Sequence, residues 1–111
     1  METKFNFKSS PCTSREQSKR LLALGLKPET ADMCWTKMAA IRGTFYVPEL
    51  APMNMVSWRH TPAWSLHRLI EMYVERYLSC SVNIKDLTYD WIINEIEIRV
   101  KEGYFNKEYL V

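Results

Sequence analysis

The spacing of apolar residues along the chain predicts three helices. Over residues 62–78 the apolar positions recur at the intervals that place them on one helical face: Leu66, Leu69, Ile70, Tyr73, Val74 and Tyr77. A second stripe runs through the last predicted helix, which ends near residue 102: Tyr89, Ile92, Ile93, Ile96 and Val100. The first helix, over residues 13–24, is shorter and carries Leu21 and Leu24 on its apolar face.

Capping residues predict where these helices begin and end. Thr13 and Glu16 have the spacing of a capping box, in which each side chain bonds the other residue's backbone N–H. Thr61 and Pro62 predict the start of the second helix, with Thr as the N-cap and Pro at the first helical position. The other signals are Asp86 or Thr88 before the last helix, and Gly25 and Gly103 as left-handed glycines after the first and last helices.

Strand formers between the helices predict a small sheet. Residues 35–47 indicate a β-hairpin that turns near Arg42-Gly43, because Thr44 to Val47 are strongly strand-forming. Residues 28–34 are predicted to be a turn or a single helical turn. Apolar and polar residues alternate over 79–85, which predicts a short further strand. The expected fold class is therefore α+β, with three helices packed on a two- to three-stranded, antiparallel sheet.

The chain of 111 residues is expected to form a single domain over 1–111. An N-terminal arm is predicted over 1–12, a long loop over 48–61 and a short tail over 106–111. Apolar residues make up 47% of the chain and include four Trp, enough to form a core without disulfides. Three widely spaced cysteines indicate reduced thiols, and no apolar run has the length of a membrane span or signal peptide, so a cytoplasmic location is expected.

No motif predicts catalysis, a metal or a cofactor. His60 and His67 are the only histidines, and no His or Cys stands three or four residues after His67. Ser65 and His67 face different ways on a helix. Glu71 and Glu75 share a helical face but are expected to be solvated beside basic neighbours. The chain is therefore expected not to be an enzyme and to need no cofactor.

Two binding functions compete for the remaining features. Large apolar residues in the predicted loop, or off the main stripe of the last helix, favour a protein partner or a homodimer: Met53, Met55, Trp58, Trp91 and Ile98. The alternative is a nucleic-acid-binding regulator, because residues 1–42 contain eight Lys and Arg against four Asp and Glu. The candidate phosphate-binding residues are Arg15, Lys19, Arg20 and Lys27. The net charge of only +2 favours the protein partner.

Four stretches spread over most of the chain carry a resemblance to a group of proteins: Glu16–Lys19 with Leu24–Leu26, Thr30–Met33, Pro62–Leu66 and Glu102–Leu110. In these stretches the chain resembles short proteins encoded in prophages and other mobile elements of Bacteroidetes. The group has Cys where Ala63 stands here, so the resemblance implies no thiol role at that position. It implies a bacterial or phage cytosolic context, and it implies neither a catalytic activity nor a ligand.

Overall fold

The structure is a computed structural model that describes residues 10–74 and 87–111. Within these ranges three helices pack with a three-stranded antiparallel sheet, which confirms the predicted α+β class. The helices and strands are α1 (Arg15–Ala23), β1 (Met33–Ala40), β2 (Gly43–Leu50), β3 (His60–Ala63), α2 (Leu66–Val74) and α3 (Tyr89–Glu102). Two short 3-10 helices lie at Pro28–Thr30 and Lys107–Tyr109.

The sheet has the strand order β2-β1-β3. The predicted hairpin is confirmed and is longer than expected: β1 and β2 pair from Met33 with Leu50 to Ala40 with Gly43, around a turn at Ile41-Arg42. The long connection predicted over 48–61 is correspondingly shorter, because β2 continues to Leu50 and β3 begins at His60. Residues 51–59 connect the two strands.

The predicted start of the second helix is wrong. Thr61 and Pro62 belong to β3, and α2 begins at Leu66. Proline is tolerated in β3 because β3 is an edge strand, where an outward-facing position needs no backbone donor. Ser65 serves as the cap instead, since its hydroxyl accepts from the Arg68 N–H at 3.1 Å. The end of this predicted helix after residue 74 and the predicted strand over 79–85 lie outside the described residues.

The capping box of α1 lies one residue later than predicted. The Ser14 hydroxyl accepts from the Gln17 N–H, and the Gln17 side chain accepts from the Ser14 N–H. Thr13 is fully buried, and its hydroxyl accepts from the Trp64 N–H at 3.1 Å while its own N–H donates to the Trp64 carbonyl. A hydroxyl engaged in this buried pair is not free to cap the helix.

The start and end of the last helix agree with the sequence. The Thr88 hydroxyl accepts from the Trp91 N–H, and Gly103 ends the helix with a φ of 78°. The predicted tail packs back on the domain, because the Lys27 N–H donates to the Tyr109 carbonyl and Leu110 forms a β-bridge with Leu26. The chain after α3 therefore covers the end of α1.

The main apolar core lies among the three helices and the chain segments that adjoin them. Trp64 is fully buried at the centre, and its indole N–H donates to the Thr30 hydroxyl at 3.0 Å. The other buried apolar side chains of this cluster are Leu21, Leu26, Ala31, Leu69, Met72, Tyr73, Ile92, Ile93, Ile96 and Phe105. No residue of β1 or β2 belongs to this cluster, and the turn end of the hairpin, residues 39–45, is exposed throughout.

Within residues 10–74 and 87–111, no helix combines the length and the apolar character needed to cross a membrane.

Candidate protein-binding surface

Exposed apolar side chains concentrate on the hairpin and on the connection that follows it. Nine large apolar side chains of the described residues are exposed, and six of them lie between residues 41 and 58. We call these six the apolar segment: Ile41, Phe45, Leu50, Met53, Val56 and Trp58. Surface apolar residues are usually scattered singly, so this concentration makes the apolar segment a candidate contact surface.

The connection from β2 to β3 is anchored at both ends. The Ala51 N–H donates to the Asp32 carbonyl at 3.0 Å, and the Val56 N–H donates to Nδ1 of His60 at 3.0 Å. Between these anchors Met53 is fully exposed, and Trp58 has 75% of its surface exposed. Both side chains therefore lie in solvent rather than against the core.

A groove of about 520 Å³ lies beside Trp58. It exists because β3 pairs with β1 only from Met33 to Thr36, and the last bond joins the Lys37 N–H to the Arg59 carbonyl. Beyond this point no described strand covers the open side of β1. The groove is lined by Lys37, Met38, Ala39, Thr44, Trp58 and Arg59.

Two basic side chains line this groove, and a third lies at the turn of the hairpin. Lys37 and Arg59 line the groove, and Arg42 lies at the exposed turn of the hairpin. Glu49 is the only acidic residue from 33 to 60, and its carboxylate accepts from the buried Thr36 hydroxyl at 2.8 Å. A ligand at the groove therefore meets an apolar floor with a basic rim.

The sequence-predicted protein-binding residues fall on two separate elements. Met53, Met55 and Trp58 belong to the connection, where Met55 is half-buried and lines a second groove beside Pro28 and Glu29. Two further residues, Trp91 and Ile98, lie on α3.

Of this α3 pair only Ile98 is exposed. Trp91 is half-buried, and its ring meets Tyr73 edge-to-face at 6.2 Å between centroids. This contact with Tyr73 explains an aromatic side chain at position 91 without a binding partner.

The predicted phosphate-binding residues do not form one free basic face. The Arg15 guanidinium lies 3.7 Å from the centre of the Tyr46 ring. Arg20 pairs with Glu97 and donates to the Asn94 side chain. Lys19 lines a groove beside the β2–β3 connection, and Lys27 is half-buried at the end of α1. Two of the four cations thus already have partners within the chain.

The polar residues near the start of α2 serve a structural purpose. Asp32 accepts from the Ser65 N–H at 2.8 Å and from its hydroxyl at 2.5 Å. Arg68 donates to the Thr30 carbonyl and pairs with Glu71, while His67 is exposed. Among the described residues, no three His, Cys, Asp or Glu side chains come together as a metal site would require.

Two thiols of the described residues are buried, one just before α1 and one on β1. Cys12 and Cys34 are both free and fully buried. Burial, with a smaller contribution from the Asp32 carboxylate, raises the pKa of Cys12 to about 11. The Cys12 thiol is therefore protonated at neutral pH, unlike the thiolates of reactive cysteines.

Sequence reasoning missed the hairpin part of the apolar segment. Ile41 is fully exposed in the turn, and Phe45 and Leu50 on β2 are also exposed. A signal was present, because an Ile in a short hairpin turn is far from any core position. Strand propensity alone identified β2 without showing that it lies beyond the core.

Comparison of the chain with protein-family models, with curated proteins and with solved structures finds no match.

Proposed function

We propose that the protein is a small, non-enzymatic, cytoplasmic module that binds another protein through the apolar segment and the groove beside Trp58. One observation carries this proposal: six of the nine exposed large apolar side chains fall between residues 41 and 58. They are held there by a hairpin and an anchored connection, which reduces the entropy lost when a partner binds.

Trp58 is the expected centre of the contact. Tryptophan is enriched among the residues that dominate binding energy, and a side chain that is 75% exposed has most of its surface left to bury. Each square ångström of apolar surface removed from water contributes roughly 25 cal/mol. Met53 adds a flexible apolar side chain on the same connection, which can adapt to the shape of a partner.

The charges predict the partner's chemistry. Lys37 and Arg59 line the apolar groove, and Arg42 adds a positive charge at the hairpin turn. A fitting partner presents an apolar side chain to Trp58 and carboxylates around it. Such complementarity favours the correct orientation and speeds association.

A pull-down with three baits tests the proposal. The tagged full-length chain, its Trp58→Ala variant and its Ile98→Ala variant are each incubated with a bacterial lysate, with and without nuclease. The resemblance to mobile-element proteins of Bacteroidetes guides the choice of lysate. Ile98→Ala is the matched control, because it also removes an exposed apolar side chain but lies on α3.

The expected result is a protein that the wild type and Ile98→Ala retain and Trp58→Ala loses, with nuclease having no effect. Loss with Ile98→Ala alone would place the contact on α3 and contradict the proposal. Recovery that disappears with nuclease would favour the nucleic-acid alternative through Arg15, Lys19, Arg20 and Lys27.

A further inference from the structure

We propose that the outer edge of β2 is a self-association site, where β2 of a second copy pairs antiparallel to form one continuous sheet. This site shares Thr44 with the lining of the groove and Phe45 with the apolar segment, but it does not include Trp58. A substitution at Trp58 therefore tests the partner contact without altering the edge.

The register of the sheet shows which backbone groups this edge offers. The Lys37 N–H donates to Arg59, so the odd-numbered residues of β1 direct their backbone groups toward β3. Backbone groups alternate along a strand, so the even-numbered residues of β1 bond to β2. Through the observed pairs, the residues of β2 that point outward are Thr44, Tyr46, Pro48 and Leu50.

The first half of this edge has none of the protection that edge strands usually carry. Natural edges are blocked by Lys, proline, bulges or very short strands. Pro48 removes one outward donor, and Glu49 is the only charged residue in the eight-residue strand. From Thr44 to Val47 the edge is uncharged and continuous, and no described residue pairs with its outer side.

An antiparallel register that satisfies both outward N–H groups of this stretch, those of Thr44 and Tyr46, places an apolar pair at its centre. When Thr44 of each copy pairs with Tyr46 of the other, the two-fold axis passes beside Phe45. The Phe45 side chains then face each other in a non-hydrogen-bonded pair, whose Cα atoms are about 4.5 Å apart. Phe45 is 47% exposed, so this contact buries an apolar side chain that is now in water.

The charges at the ends of the overlap are complementary. In this register Arg42 at the turn of one copy lies opposite Pro48 of the other, and Glu49 is the next residue along β2. Arg42 and Glu49 are the only charged residues from 41 to 50, and they carry opposite signs. A second copy therefore matches both the apolar centre and the charged ends of the edge.

Solution mass provides the first test. The wild type is expected to shift with rising concentration from 13.2 kDa toward twice that mass. Phe45→Lys places two like charges at the axis and should keep the chain monomeric. Ile98→Lys is the control, because it makes the same change at a side chain of nearly equal exposure (48%) on α3. Circular dichroism verifies that both variants are folded.

Cysteine cross-linking provides a second test that does not depend on Phe45→Lys folding. Phe45→Cys should form a covalent dimer on mild oxidation, since the register places the two thiols in contact. Val47→Cys should not, because Val47 then faces Gly43 of the second copy, and the wild type gives the background. A wild type that stays monomeric at every concentration, or equal cross-linking at both positions, would overturn the proposal. Trp58→Ala should leave the dimer unchanged.

Discussion

Trp64 and Trp58 lie close in the sequence but in opposite environments. Trp64 is fully buried among α1, α2 and α3, and both its backbone and its indole N–H have partners. Trp58 is 75% exposed beside a groove with a basic rim. The end of the sheet that leads into Trp64 and α2 is thus buried. The turn end of the hairpin and the connection over residues 51–59 are largely exposed to solvent.

The largest expected effect separates these two tryptophans. Trp64→Ala should lower the free energy of unfolding by about 3–5 kcal/mol, because it removes a large buried ring and leaves a cavity. It also leaves the buried Thr30 hydroxyl without the indole donor. For a domain whose whole stability is about 5–15 kcal/mol, this is close to unfolding. Urea denaturation followed by circular dichroism measures the change.

Trp58→Ala is the matched control for that experiment. An exposed side chain leaves no cavity, so its removal should change the free energy of unfolding by less than about 0.5 kcal/mol. Equal destabilisation by the two substitutions would show that Trp58 packs against the core, and the contrast between the two ends of the sheet would fail.

The next effect concerns the polar link between the sheet and α2. Asp32→Ala should destabilise the chain by about 2 kcal/mol, because the Ser65 N–H and hydroxyl both lose a charged acceptor. Asp32→Asn keeps one acceptor oxygen and should lose less. Thermal unfolding of the three proteins measures the difference, and identical midpoints would show that this link adds nothing to the packed end.

Local signals in the sequence predicted most of the fold. Thr88 and Gly103 mark the ends of α3. The hairpin forms at the predicted place, where strand-forming residues flank Arg42-Gly43. The start of α2 was wrong, because Thr61-Pro62 has the same sequence pattern in an edge strand as at a helix start. Only the pairing of β3 with β1, a long-range contact, distinguishes the two.

The candidate surface was only partly predictable for the same reason. Met53 and Trp58 were identified because they lie in a connection, where no periodic pattern assigns them to a core. Trp91 has the same apolar character but packs on Tyr73. Ile41 and Phe45 were missed, because a strand pattern does not say how far a hairpin extends past the core.

The buried end of the molecule should respond to alkaline pH through Cys12. Its pKa is raised to about 11 in the folded state, from about 9.0 when the thiol is free of these contacts. As the pH rises, the unfolded chain therefore releases this proton before the folded chain does. The contribution of the Cys12 thiol to the stability of the fold is complete below about pH 9 and is lost as the pH rises toward 11. Unfolding free energies measured across this range should fall more steeply in the wild type than in Cys12→Ala. Equal slopes of unfolding free energy against pH in the two proteins would contradict a raised pKa for the Cys12 thiol in the folded state.

The smallest effect is expected where the packed end meets solvent, at Glu97 on α3. Hydrogen bonds from Arg20 and Lys101 lower the pKa of Glu97 below its ordinary value. A carboxyl group with a lowered pKa stabilises the fold above its unfolded pKa, and this contribution is lost as the pH falls through the folded pKa. Glu97→Gln should therefore reduce the melting temperature slightly at neutral pH and not at all in acid. The reduction should shrink with added salt, because exposed ion pairs are screened.

Glu102→Gln removes the same charge from the exposed end of the same helix and is the control. If Glu97→Gln were as damaging as Trp64→Ala, ion pairing rather than burial would hold α1 to α3.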